Sequence, residues 1–346
     1  MPSDEDPLGL VQENSFFPRK IAILYSDDRR EYFRTEEEYL TEAGSREYAE
    51  HVAVYVRKLG IESEVFVGNE TLAEKLAKYE PSMAFNLVDT VRGEPALAPA
   101  VPGLLELLHI PYTGTGIFGL SLSANKYVMY QLMRTNGIPV PSHQLFTTAS
   151  DMIDPALRYP LFPKLNSEHS SVGVAENNVC ENERELRAKM KEMFEMYRQP
   201  ILVDEFISGK ELTISILDGV NKKVYAVERY SGDDSEHNIV TFDKKWVNFL
   251  DMSYSKFEDD DLRDYTKEAF DVLKMSDYAR FDVRMDGAGR YYFIDPNPNP
   301  YFGPPKETHA SYTIVLDMYG VEFKEVLKRM IQNTARDAKI TSSLWG

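Results

Sequence analysis

The first third of the chain alternates two patterns of apolar and polar positions. "KIAILYS" is a short apolar run of buried-strand length. Ser45–Leu59 then carries Ala49, Val52, Ala53, Val56 and Leu59 at helical spacing and stops at Gly60. "SEVFVG" and "SMAFNLV" return to strand pattern. Strand, helix, strand at this spacing predicts a parallel α/β sheet, because parallel neighbours need a crossover. "GLLELLHIPYTGTG" predicts a short helix running into a glycine-punctuated loop.

A second unit begins near Leu122. Ser123 is expected to cap a helix over "ANKYVMYQLMRTN", which Gly137 ends. "LFPKLNSEHSSVGV" predicts a strand and a Ser/Gly loop, "ENERELRAKMKEMFEMYR" a helix and "PILVDEFIS" a strand. The last part is strand-rich through "ELTISILDG", "KKVYAVERY", "YARFDVRMD" and "YYFIDPN", and a helix over "VEFKEVLKRMIQNTARDA" closes it. The expected division is a frayed tail over 1–17, an α/β domain over 18–121, and two α+β units over 122–209 and 210–346.

Composition narrows the class. The 346 residues suffice for two or three domains, and 43% apolar content allows a full core without staples. The single cysteine, Cys180, excludes an intramolecular disulfide framework and fits a reducing compartment. Acids and prolines occupy the start, where a signal peptide needs basic residues and an apolar core. No apolar run approaches the roughly 20 residues of a membrane span. These features predict a soluble cytoplasmic protein without a membrane partner. A net charge of −17 argues against a nucleic-acid surface. The acidic runs "RTEEEYLTEAG" and "FEDDDLRD" are expected to be solvated faces.

The candidate chemistry lies at "YARFDVRMDGAGRYYFIDPNPNP", which predicts a β-hairpin around Asp286-Gly287-Ala288-Gly289. With a two- or four-residue turn, paired residue numbers sum to an odd number, so Asp282 and Asp295 share a face. Period two adds Asn297, Arg280 and Arg284 to it. Charged residues are poor core material, but two acids and an amide offer the hard oxygens that Mg²⁺ takes. The prolines at 296, 298 and 300 remove main-chain donors and stop the strand from pairing further. A solvent-facing hairpin edge with ordinary salt bridges is the alternative.

The order of motifs resembles the ATP-grasp superfamily, and within it the D-alanine–D-alanine ligase family, from about Lys20 to Arg329. "ANKYVMYQLMRTNGIPVP" is similar to the stretch around the family's first ATP-binding lysine, here Lys126. "FPKLNSEHSSVGV" resembles the second, Lys164, and the phosphate-covering loop with Ser170, Ser171 and Gly173. "ILVDEFISGKELTISIL" resembles the adenine hinge, at Asp204, Glu205, Phe206 and Ile207, and the ribose-binding acid, at Glu211. "RFDVRMD" and "FIDPNPNP" resemble the closing metal motif.

The resemblance implies an ATP-grasp fold, with an N-terminal parallel domain and two α+β subdomains clasping ATP. It implies that Asp282, Asp295 and Asn297 hold one or two Mg²⁺ ions, with Mn²⁺ as a substitute. Arg280, Ser171 and Lys245 fall at the family's catalytic positions. The implied reaction activates a substrate carboxylate as an acylphosphate, which an amine then attacks to give an amide. Because water would hydrolyse that intermediate, a lid is expected from "SEHSSVG" and "SGDDSEHNIVTFDKKW", where Lys245 and Trp246 replace the family's Lys-Tyr pair. The implied partners are small amino-acid or carboxylate substrates, with a homodimer as the common assembly.

The departures gather where substrate would sit. The family's Gly-Gly-x-Ser-x-Glu is absent, and Asp27, Asp28 and Glu31 are the candidates for its acid. Only Gly93-Glu94 remains of a second substrate motif, and "PYFGPPKETHASY" follows the metal motif, with Ser311 further on. Asp295 replaces the usual glutamate. A ligase of another amino acid, dipeptide or secondary-metabolite carboxylate therefore stands beside the strict family role. A nucleotide-binding protein without catalysis is the rival from another class.

Overall fold

The computed structural model describes residues 17–230, 237–247 and 252–345. The expected tail therefore lies outside the described residues but for Phe17, as do residues 231–236 of the second expected lid segment.

The first unit is a parallel sheet of β1 (Lys20–Tyr25), β2 (Glu62–Val67), β3 (Met83–Leu87) and β4 (Tyr112–Thr113), in the order β2-β1-β3-β4. Its helices are α1 (Glu36–Glu42), α2 (Ser45–Lys58), α3 (Leu72–Tyr79) and α4 (Ala100–Leu107). Ala49, Val52, Ala53 and Val56 of α2 are all buried, as the helical spacing predicts.

Next come α5 (Ile117–Ser123) and α6 (Lys126–Thr135), then β5 (His143–Phe146), β6 (Leu161–Leu165), α7 (Glu183–Tyr197) and β7 (Ile201–Glu205). The three strands form an antiparallel sheet in the order β5-β7-β6. Ser123 does not cap α6. It closes α5, where its hydroxyl donates back to Leu120 O. Asn125 is the cap, its side chain accepting from Val128 N at 3.1 Å. The apolar stretch before it has a helix of its own, which moves the break two residues along.

The rest is built on β8 (Lys210–Leu217), β9 (Lys223–Tyr230), β10 (Ser253–Phe257), β11 (Tyr278–Met285) and β12 (Tyr291–Asn297). They form an antiparallel sheet in the order β10-β9-β8-β11-β12. The helices are α8 (Asp260–Val272), α9 (Pro305–Thr308), α10 (Ser311–Met318) and α11 (Phe323–Trp345). The acids of "FEDDDLRD" open α8, and Asp259 caps it by accepting from Leu262 N.

Two cores flank this sheet. One joins β1, β3 and α2 to α10 and α11, with Phe302 and Tyr312 between them. The other packs α6 and α8 on the sheet through Met129, Tyr130, Phe270 and Phe281. Together they fix the polar edge of β11 and β12 against the three-stranded sheet.

The hairpin reaches its register by an unexpected route. Asp286 N donates to Arg290 O, which leaves a three-residue turn whose Gly289 sits at φ +81°. Next to that turn Val283 faces Phe293, an even sum. A bulge then inserts Ile294, and Asp282 faces Asp295 after all.

Candidate active site

A cleft of about 850 Å³ opens between the three-stranded and five-stranded sheets. Lys126 enters it from the first turn of α6 and Lys164 from β6. Ser171 comes from the loop after β6, and Asp204, Glu205, Phe206 and Ile207 from the end of β7 and the link to β8. Glu211, Asp282 and Asp295 line it from the large sheet. Asn297 lies on a neighbouring cavity of about 520 Å³ that shares Lys126 and Asp295.

The charges are interlocked. Lys126 Nζ lies 2.9 Å from Asp295 Oδ1 and donates to Glu168 O at 2.6 Å. Lys164 Nζ lies 2.7 Å from Asp204 Oδ2 and donates to Tyr130 OH and Ile294 O. Arg280 Nη2 lies 3.0 Å from Asp282 Oδ2 and 3.9 Å from Asp295 Oδ2. Both carboxylates of the hairpin thus converge on one guanidinium nitrogen. Burial would raise the Asp295 carboxyl, but Lys126 and then Arg280 outweigh it and hold it down at about 2. Burial, and then Arg280, lowers half-buried Lys245 to about 7. Arg280 Nη1 also donates to Ser311 Oγ at 3.2 Å, so α10 brings that serine to the site. Asn297 Oδ1 accepts from Asn299 N at 2.9 Å.

Glu211 is held by two arginines. Arg229 pairs with its Oε1, and Arg284 Nη1 donates to Oε2 at 3.3 Å. Arg284 also donates to Ile207 O and lies 5.0 Å from the centre of the Phe206 ring, tying the hinge to the sheet. The sequence reading did not single out Arg229, which also lies 3.8 Å from Asp282. Alternation along β9 places it beside Glu211, but only the strand pairing reveals this.

In the phosphate-loop motif, Ser170, Ser171 and Gly173 all have positive φ, from 59° to 72°. Gly173 N donates to Glu37 Oε2 at 2.8 Å, so this N–H is engaged by α1. Ser170 O accepts from Trp246 Nε1, which joins the loop to the second segment expected to cover the site. Among the described residues, buried polar atoms without a hydrogen-bond partner include Asp204 Oδ1, His169 Nε2, Arg229 Nε and Arg280 Nε.

The candidate substrate acids fall elsewhere than expected. Asp27 is bound by Arg29 and Asn69, Asp28 accepts from Gly44 N, and Glu31 is exposed. Glu94 pairs with exposed Arg34. Asp27 is buried, and so is Glu42, 3% exposed, in the run expected to be a solvated face. Charge density alone conceals it, because the inward residue of an acidic helix carries no mark of its own.

A family model described as D-ala D-ala ligase C-terminus matches residues 132–332. A D-alanine–D-alanine ligase of Pseudomonas putida is 29% identical over 269 residues, covering 75% of this chain and 79% of that one. The uncharacterized protein y4sG of Sinorhizobium fredii is 25% identical over 297 residues, covering 82% and 86%. The structure is similar to that of D-alanine–D-alanine ligase from Bacillus anthracis complexed with ATP. The TM-score is 0.71 at 20% identity, over 93% of this chain and 99% of that one. That likeness establishes the ATP-grasp fold.

Proposed function

We propose, for a chain that belongs to the D-alanine–D-alanine ligase family, that the cleft joins two amino-acid substrates at the expense of Mg·ATP. The chain is an ATP-dependent, amide-forming ligase of the D-alanine–D-alanine ligase type. The observation that carries the site assignment is the convergence of Asp282, Asp295, Arg280 and Lys126 at the cleft's inner wall.

The donor set fits a hard divalent cation. Asp282 and Asp295 are direct register partners, Asn297 lies two residues on, and all three offer oxygen. An ion held there would neutralise phosphate charge and polarise the transferring group. Lys126 and Lys164 are suited to phosphate oxygens as point charges, Glu211 to the ribose hydroxyls, and Asp204, Glu205, Phe206 and Ile207 to the adenine. Arg280 and Lys245 are suited to neutralising the charge that builds on the transferring phosphoryl group, and Ser171 to covering it. Positioning and charge neutralisation carry the chemistry, with no protein nucleophile.

The test is phosphate release from Mg·ATP against D- and L-amino acids, alone and in pairs. Release with D-alanine alone supports the strict family role, and release only on a mixed pair supports another ligase. ATP binding with no release on any member contradicts ligation. Asp282→Asn should lower turnover by at least about 100-fold without unfolding the chain, and unchanged turnover removes Asp282 from the site. The stretches 18–121, 122–209 and 210–346 are proposed as its three units. Separate blocks of hydrogen-exchange protection would support them, and a single cooperative block would contradict them. A homodimer belongs to the same proposal, and a monomer in sedimentation would remove it.

A further inference from the structure

Beside the cleft lies a small cavity between α1, α2 and the turn after β12. Glu42, Ser45, Tyr48, Asp89, Asn299 and Tyr301 are among its walls. Glu42 is buried, yet its Oε1 has no hydrogen-bond partner, and neither has Tyr301 OH. The nearest basic group is His169, whose Nε2 lies 3.8 Å from Glu42 Oε1. Burial, and then Lys126, holds His169 down at about 4, so at neutral pH it brings no positive charge. Asp89 accepts from Asn299 Nδ2 at 2.8 Å. Among the described residues, no lysine or arginine forms an ion pair with Glu42 or Asp89, although Lys245 acts on Asp89 from a distance.

Two acids without a paired lysine or arginine are costly unless something arrives to match them. A proton on the pair is one way to match them: burial raises the Asp89 carboxyl, and burial together with Asp89 pushes Glu42 well above the carboxylate range. The walls add a preference. Tyr48 and Tyr301 meet edge to face, with ring centres 4.3 Å apart, and aromatic rings beside carboxylates suit an ammonium group on a short apolar stem. Asp89 and Asn299 also line the neighbouring cavity that holds Lys126 and Asp295. A ligand seated in the acidic pocket can therefore extend its carboxylate toward the reaction centre.

We propose that this pocket is a cation-recognition subsite, and that one substrate is an amino acid with a second ammonium group on a short side chain. The inference rests on the ligase reading above. An α-amino acid with an apolar side chain brings one ammonium to two carboxylates and leaves the aromatic end of the cavity unfilled. A diamino acid brings two, one for each acid.

ADP formation is measured with Mg·ATP and both enantiomers of alanine, 2,3-diaminopropionate, 2,4-diaminobutyrate and ornithine. One diamino acid should exceed alanine in kcat/KM by about 10⁴-fold, the scale at which a site built to hydrogen-bond a polar group rejects an analogue lacking it. Glu42→Gln should raise KM for that substrate by at least about 10-fold, change kcat little, and bring the diamino-to-alanine ratio toward one. Asp89→Asn is the second variant and should do the same. Retained binding of a non-hydrolysable ATP analogue reports that each variant is folded. Alanine turning over as well as every diamino acid, with both variants affecting all substrates equally, overturns the subsite alone. No ADP formation with any amino acid, while the nucleotide still binds, overturns the ligase reading and this inference with it.

Discussion

Asp277 illustrates how much of this molecule's acidity is set by burial. It is 7% exposed, Gly114 N donates to its Oδ2 at 2.7 Å, and Thr334 Oγ1 lies at 3.4 Å. Burial, added to by Asp218 and Asp337 and opposed by the Gly114 N–H, raises its carboxyl from 3.8 to about 7. The folded chain therefore binds a proton that the unfolded chain has released between those values. This contribution is fully present below about pH 4 and is lost as pH rises through about 7, on the order of a few kcal/mol. Asp277→Asn keeps an acceptor for Gly114 and tolerates the φ of 61° at this position. It should flatten the fall in stability between pH 4 and 8, as read by denaturant melts at several pH values. An unchanged slope would remove Asp277 as the cause. In the sequence this acid is one of many. That Lys126, Lys164 and Asp282 meet at one cleft could be expected because motifs surround them, whereas Glu42, Asp89 and Asp277 owe their character to burial, which spacing does not encode.

Helix α1 links the parallel sheet to the loop after β6. Glu37 Oε2 accepts from both Gly173 N and Tyr197 OH at 2.8 Å, and Leu40 packs on the core of the three-stranded sheet and α7. The same helix ends at Glu42, so one short element meets both the loop and the acidic pocket. Glu37→Gln should loosen the loop by about 1 kcal/mol, the net worth of one hydrogen bond. Faster amide exchange over 168–174 would report it, and unchanged exchange would contradict the strap. Elements with long periodic patterns, such as α2, α7 and α11, were legible. The α5/α6 break, β10 and α10 were missed or displaced, because short or mostly polar segments are settled by tertiary contacts. The hairpin register was right only in outcome, since the three-residue turn and the Ile294 bulge shift it in opposite senses.

Across the whole molecule, the sheets are held by cores that cross the sequence divisions. α6 falls within 122–209 but packs Met129, Tyr130 and Met133 on the five-stranded sheet, and α11 packs on the parallel sheet and α2 as well. The ATP-grasp fold class was legible because its motifs come in order along the chain. The acidic pocket was not, because it is assembled from α1, the stretch after β3 and the turn after β12, which are far apart in sequence. Among the described residues no helix is long and apolar enough to cross a membrane. The most direct measurement is a crystal structure with Mg²⁺ and a non-hydrolysable ATP analogue. The metal should lie about 2.0–2.1 Å from oxygens of Asp282, Asp295 and Asn297, with the adenine against Asp204–Ile207. A nucleotide lodged outside the cleft, or a metal that leaves those three side chains facing solvent, would contradict the site assignment.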